Sequence, residues 1–260
     1  MLGRDQRPFR VVMLCGEGFS SRAIFHALSK RFEVASVILE DKPSTRRILV
    51  RRAARIGWLK VVNQILFMVL NLLLQRRARP RIVEVTEHHG LNGADFPKGK
   101  VLNVTSANDL TTIKLLNELD PSVVLVNGTR ILSAAVLASV EAPFINTHMG
   151  ITPKYRGVHG GYWALASNDA ENCGVTVHLV DQGIDTGSVL YQGMIKTSER
   201  DSFNTYPIHQ LAVALPLIES ALNDVKAGTL KPVCGVLPSK IWSHPTFSQY
   251  VLNWILYKVK

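Results

Sequence analysis

The chain predicts an α/β domain with a mostly parallel sheet. Three observations carry this. Apolar runs of strand length recur at residues 9–15, 34–39 and 122–126, dense enough to be buried on both faces. Stretches of helical spacing lie between them, at residues 22–31 and in a segment ending at Leu119. A glycine-bearing turn, Gly16 to Ser21, joins the first strand to the first helix, as in strand-turn-helix units.

The 260 residues suffice for a single domain spanning 1–260, and 47% apolar residues supply its core. The net charge of +10 is concentrated. Residues 46–81 hold ten arginines and lysines and no acid, so the other twenty basic residues balance the twenty acids. Cys15, Cys173 and Cys234 are far apart and odd in number. They suggest neither a disulfide framework nor a metal site, and fit a reducing compartment. Arg4, Arg7 and Arg10 precede an apolar run too short for a signal-peptide core. A cytoplasmic protein is expected, with an option of peripheral attachment at the inner membrane surface.

The first unit is strand 9–15, turn 16–21, helix 22–31 and strand 34–39, ending in Glu40-Asp41. An acid some distance after a glycine turn suggests a dinucleotide site. Ser21 at the third turn position and the bulk of Phe19 weaken it. A basic insert follows at 44–81. Its first part is Arg-rich; its second, 56–74, is apolar, with Lys60, Asn63, Gln64, Asn71 and Gln75 forming a narrow polar stripe. Three arrangements remain open. The insert packs on its own domain or a second subunit of a homo-oligomer, lies on an anionic membrane, or spans one. Nucleic acid is not expected, because the centre is apolar and the aromatics are few.

Residues 83–85 and 100–105 are expected as short strands, with His88-His89 a polar turn between them. Ser106 or Asn108 is expected to cap the helix ending at Leu119. Strand 122–126 closes in Asn127 to Leu132. Phe144-Ile145 then leads into Asn146 and His148, two apart and so on one side of a strand. Gly150, Pro153 and Gly157 end that strand in an irregular loop. Residues 162–167 read as a short helix, with Trp163 in the core. Residues 174–180 alternate as a strand, with His178 read as a structural histidine. The loop 181–187 carries Asp185. A strand at 189–196, a helix at 204–226 interrupted by Pro216, and an aromatic tail at 231–260 complete the chain.

An amide, an imidazole and a carboxylate at a strand end suit acyl transfer. Asn146 can donate to a developing oxyanion. His148 can donate to the same oxygen or move a proton. Asp185 can fix the imidazole tautomer and favour its charged form. With no good nucleophile beside them, a substrate group attacks directly.

Asn-x-His at 146–148, Pro-x-Tyr-Arg-Gly at 153–157, Gly-Val-Thr-x-His at 174–178 and Asp-x-Gly at 185–187 together resemble the 10-formyltetrahydrofolate-dependent formyltransferases. That family includes the glycinamide ribonucleotide, methionyl-tRNA and sugar N-formyltransferases. The resemblance implies a Rossmann-like fold, catalysis by Asn146, His148 and Asp185, and 10-formyltetrahydrofolate as co-substrate without a metal. It implies a pteridine pocket at Arg130, Ile131 and Leu132, and a loop with Asp181, Gly183 and Ile184 around the folate ring. The turn with Gly16, Gly18, Ser20 and Ser21 would lie near the acceptor, and Tyr155 and Arg156 at the mouth of the site. Met149-Gly150 stands where the family often has Pro-Ser or Pro-Ala, so the loop after the histidine is shaped for a different acceptor. The glycinamide ribonucleotide enzymes carry Ser-Asn where this chain has Phe19-Ser20, and the tail is short for a tRNA-binding domain. A small-molecule amine acceptor is therefore expected, an amino sugar that is nucleotide-linked, with glycinamide ribonucleotide as the alternative. Hydrolysis of the same folate, a non-catalytic membrane-associated binding protein, and a nicotinamide enzyme are the other readings carried forward.

Overall fold

A computed structural model describes residues 8–42 and 45–260. Arg4 and Arg7, Ser44 at the expected start of the insert, and the side chains at 46, 47, 51 and 55 lie outside the described residues. Seven strands form one sheet: β1 (Arg10–Gly16), β2 (Glu33–Glu40), β3 (Val101–Val104), β4 (Val123–Asn127), β5 (Phe144–His148), β7 (Gly174–Leu179) and β8 (Val189–Met194), in the order β3-β2-β1-β4-β5-β7-β8. β1 to β5 run parallel. β7 pairs antiparallel with both β5 and β8. The order reverses between β1 and β4, which opens a crevice beyond their C-terminal ends.

The sheet separates two cores by simple alternation. Val11, Met13, Cys15 and Leu125 face α1 (Phe19–Leu28) and α7 (Tyr206–Ala227), whereas Val12, Leu14, Val124 and Val126 face α4 (Leu110–Leu119) and α5 (Ala134–Leu137). A third, aromatic cluster sits beside the sheet. It joins α6 (Gly160–Ala166), α8 (Phe247–Tyr257) and a small ribbon of β6 (Arg156–Gly157) with β9 (Ile241–Trp242). Trp163 belongs to it, as expected of a core residue, and donates its indole N–H to the Ser243 carbonyl at 2.9 Å. Cys15 and Cys173 are buried, and burial pushes their thiols up to about 11 and about 12, so neither is a ready nucleophile.

The insert is α2 (Thr45–Ile56) followed by α3 (Trp58–His88). Here the structure corrects the expectation of a strand at 83–85 and a turn at His88-His89: α3 runs unbroken through Pro80 to His88. The Val-Glu-Val alternation is too short to resist tertiary contacts. Val85 is buried in the main core, Arg81 pairs with Asp201 at 3.1 Å, and Arg200 grips Glu84. The cap at α4 is also corrected. Asp109 precedes the helix without a side-chain cap bond. Asn108 instead stitches the 127–133 loop, accepting from Ser133 N at 2.7 Å and donating to the Ile131 carbonyl at 2.9 Å.

Candidate active site

The crevice at the ends of β1, β4 and β5 widens into a cleft of about 1280 Å³. Asn146 and His148 project from the end of β5, and both line it. The antiparallel register of β7 sets His178 opposite Asn146. Asp185, held at φ 50° in the loop after β7, completes the group: its Oδ2 lies 3.3 Å from His148 Nδ1 and accepts the Gly157 N–H at 2.9 Å. A left-handed backbone suits the short polar side chain of an aspartate. Gly157, at φ 94° and pressed against Trp242, leaves no space for a Cβ.

Hydrogen bonding assigns the ring protons. His178 Nδ1 faces the Leu179 carbonyl at 2.7 Å, so that nitrogen carries the proton. Burial lowers the pKa of His178 and keeps the ring neutral. Its bare Nε2 then accepts from Asn146 Nδ2 at 3.1 Å. This orients the Asn146 amide and leaves its second N–H for a ligand. His178 is thus a positioning residue of the site, not simply a histidine satisfied in the core. Its sequence signal was the Gly-Val-Thr-Val-His alternation, but the register that brings it to Asn146 is a tertiary fact.

His148 differs from its expected role in one respect. Its Nε2 donates to the Tyr155 carbonyl at 2.6 Å, while Nδ1 faces Asp185. Both ring nitrogens are thus engaged, and neither points into the open cleft. Asn146 therefore keeps an amide N–H that the described residues do not engage, and His148 is paired with Asp185.

The other expected residues separate into three groups. Arg130, Ile131, Leu132, Asp181, Gly183 and Ile184 line the cleft. Arg130 is ion-paired with Glu40, whose other oxygen accepts the Arg130 backbone N–H at 3.0 Å. Asp181 ties its own loop, accepting from Gly183 N at 3.0 Å and Thr186 Oγ1 at 2.7 Å. Of the first turn, Ser20 reaches the cleft, while Ser21 is buried and bonded to the Gly16 carbonyl at 2.8 Å. Asn127 Nδ2 bridges Ser20 and Ser21 at 3.1 and 2.8 Å. Gly16 is needed where its backbone meets Gly128 O, and Gly18 precedes α1.

Tyr155 and Arg156 are corrections in orientation. Tyr155 is 1% exposed, with its hydroxyl on Asp169 at 2.6 Å; it presents only its carbonyl, to His148. Arg156 donates to the Ile184 carbonyl at 3.1 Å and so braces the Asp185 loop. Burial in the aromatic cluster leaves the Tyr155 side chain without a free face toward an acceptor. The dinucleotide reading fails at Glu40. Its carboxylate is held by Arg130 and by the Ala107 N–H at 2.6 Å, so of the Glu40-Asp41 pair only Asp41 lines the cleft.

Two further histidines were missed. His159 and His244 meet across the cleft wall, Nε2 to Nδ1 at 2.9 Å. Burial, then its neighbour His244, lowers His159 to about 3; burial, then Arg52, lowers His244 to about 4. Both values fall below the unfolded value near 6.5, so the unfolded chain binds protons first on acidification. Their burial is costless above pH 6.5 and costs stability progressively as the pH falls from there toward 4. Unfolding free energy at pH 5.5 should be about 1 to 3 kcal/mol below that at pH 7.5, measured by urea denaturation, and the difference should shrink in H159N/H244N protein. Among the described residues, no group of three or more histidine, cysteine or acidic side chains could hold a metal ion.

A family model described as formyl transferase matches residues 71–211. Methionyl-tRNA formyltransferase of Caldanaerobacter subterraneus subsp. tengcongensis is 33% identical over 135 residues, covering 51% of this chain and 43% of that protein. The chain thus spans less than half the length of that curated relative. Among solved structures, a sugar N-formyltransferase from a Shewanella species superposes with a TM-score of 0.57 at 13% identity, over 90% of this chain and 76% of that one. Phosphoribosylglycinamide formyltransferase of Anaplasma phagocytophilum gives 0.57 at 17% identity, over 90% and 98%. At such identities these two establish a shared fold.

Proposed function

The chain belongs to the formyl transferase family, the family model spanning more than half of it, and from this we propose that it transfers a formyl group from 10-formyltetrahydrofolate to a primary amine. The observation that carries the proposal is the convergence of Asn146, His148 and Asp185 in one large cleft. The volume, about 1280 Å³, exceeds an ordinary single-ligand pocket of roughly 300–1,000 Å³ and suits two substrates side by side. Ile131, Leu132, Val180 and Ile184 supply apolar walls for a flat ring. The folate supplies the formyl carbon.

In this reading the acceptor amine attacks that carbon directly. The free N–H of Asn146 meets the oxyanion, contributing about 3 kcal/mol of barrier lowering. Asp185, coupled to His148, takes the proton released by the amine. The bond from the formyl carbon to the folate nitrogen then breaks, and that nitrogen receives the proton.

For the acceptor we favour an amino sugar carried on a nucleotide. One feature disfavours glycinamide ribonucleotide, and a second suits any phosphate-bearing acceptor. Ser21 is buried with its hydroxyl donated to the Gly16 carbonyl, and the Phe19 ring packs against Gly93. Arg52 lines the cleft and has no carboxylate partner among the described residues, which suits a nucleotide phosphate. A methionyl-tRNA acceptor is the second reading, favoured by the 33% identity to the methionyl-tRNA enzyme. A cytoplasmic location goes with a folate co-substrate. The test is folate turnover followed by absorbance, with nucleotide amino sugars, glycinamide ribonucleotide and methionyl-tRNA offered in parallel. Turnover that depends on an amino sugar is the expected result. Formate release without any amine would make the protein a hydrolase instead.

A further inference from the structure

α3 is amphipathic in the wrong sense for a helix in water. The middle of its polar stripe, Asn63, Gln64 and Asn71, faces the protein, while Lys60 and Gln75 at its ends are exposed. Gln64, 1% exposed, donates to the His244 carbonyl at 2.7 Å. Asn63 accepts the Ser248 N–H at 3.2 Å, and Asn71 accepts from Asn204 at 2.9 Å. Val61 and Phe67 are buried beside this stripe, but a second apolar line faces outward: Leu59, Leu66 and Leu73 lie along one side of the helix and are 90%, 53% and 60% exposed. α8 packs beside it and also turns leucine, isoleucine and tryptophan outward, among them Ile255 and Trp254. So large a continuous apolar area is not left to water in a soluble monomer.

We propose that the outward faces of α3 and α8 dock onto an anionic lipid bilayer, with α3 lying in the headgroup layer. Charge names the occupant. Neither residues 46–81 nor residues 241–260 contain an acid, and the apolar stretch of α3 ends in exposed Arg76, Arg77 and Arg79. Basic flanks beside a broad apolar face are what interfacial binding requires. Trp58 and Trp254 are of the residue type that settles at that depth. A second copy meeting the same face about a two-fold axis would set arginine against arginine. α3 is long and apolar enough to cross a membrane by length and composition. It lies on the surface instead, because its polar side is bonded to the domain from Asn63 to Asn71. Arg52 and Ile56 of α2 line the cleft and lead through Gly57 into α3, so docking brings the mouth of the cleft toward the headgroups. None of this depends on the formyl-transfer reading.

The test is flotation of the full chain with phosphatidylcholine vesicles, with and without phosphatidylglycerol. Binding should require the anionic lipid and weaken with salt. L59E/L66E/L73E protein should partition at least about tenfold less, with unchanged unfolding temperature in vesicle-free buffer. A second readout needs no charged variant: brominated acyl chains should quench tryptophan emission, and Trp58→Phe should remove a large part of that quenching. Three results would overturn the proposal: wild-type protein that stays off anionic vesicles, equal partition of the triple variant, or a lipid-free dimer that the triple variant dissociates. The last would assign the face to a second copy.

Discussion

His148→Ala and Asn146→Ala are each expected to lower folate turnover by about 100- to 1,000-fold, as removal of one stabilising donor does elsewhere. The two losses should arise differently. Asn146 holds the N–H that is free for the oxyanion, so its truncation should lower kcat with little change in KM for the folate. His148 is clamped between the Tyr155 carbonyl and Asp185, so its truncation should release the Asp185 side chain and lower kcat through lost proton transfer. Asp185→Asn should cost as much as His148→Ala, and the double variant little more, because the pair acts as one unit. His178→Ala touches neither substrate. By freeing the Asn146 amide it should cost roughly tenfold in kcat, recovered in part by a residue that can accept the same bond, such as His178→Gln. If H148A protein retains a third or more of wild-type turnover, the proposed site is wrong.

The second large effect concerns the helix that turns its apolar side outward. Phe67 is 2% exposed and packs against Phe203 and Tyr250 at ring separations of 5.0 and 4.9 Å. It seats α3 together with Val61 and Val85, beside the polar contacts. Phe67→Ala should destabilise the protein by about 3–5 kcal/mol in equilibrium urea unfolding. Leu66→Ala, one residue away on the outward face, should change stability in water by less than about 0.5 kcal/mol. A helix with ordinary amphipathicity would give comparable losses at both positions, so the contrast between the two substitutions tests the orientation of α3 directly.

Legibility followed the range of the interactions. Asn146 and His148 could be read as a pair because alternation along one strand is local, and the Asp-x-Gly loop marked Asp185. The parallel sheet was legible from dense apolar runs that nothing but double burial explains. His178, His159 and His244 were not legible as site residues. His178 meets Asn146 through a strand register, and His159 meets His244 across 85 positions of sequence. Tyr155 was read as facing the mouth, yet its ring stacks on Trp242, a partner named only by the fold. The strand expected at 83–85 became helix because Val85 gains more from the main core than three residues gain from alternation.

The sequence by itself determined the fold class, through composition and period within short windows, and pointed to the family through the resemblance of its Asn-x-His, Gly-Val-Thr-x-His and Asp-x-Gly motifs. Tertiary structure alone decided which amide proton of Asn146 is free, which acceptors hold His148, and which side of α3 meets the domain. The last is the clearest case. The hydropathy pattern marks two faces on that helix, but which one is outside depends on Asn204, His244 and Ser248, residues distant in the chain that accept or offer hydrogen bonds to its polar stripe.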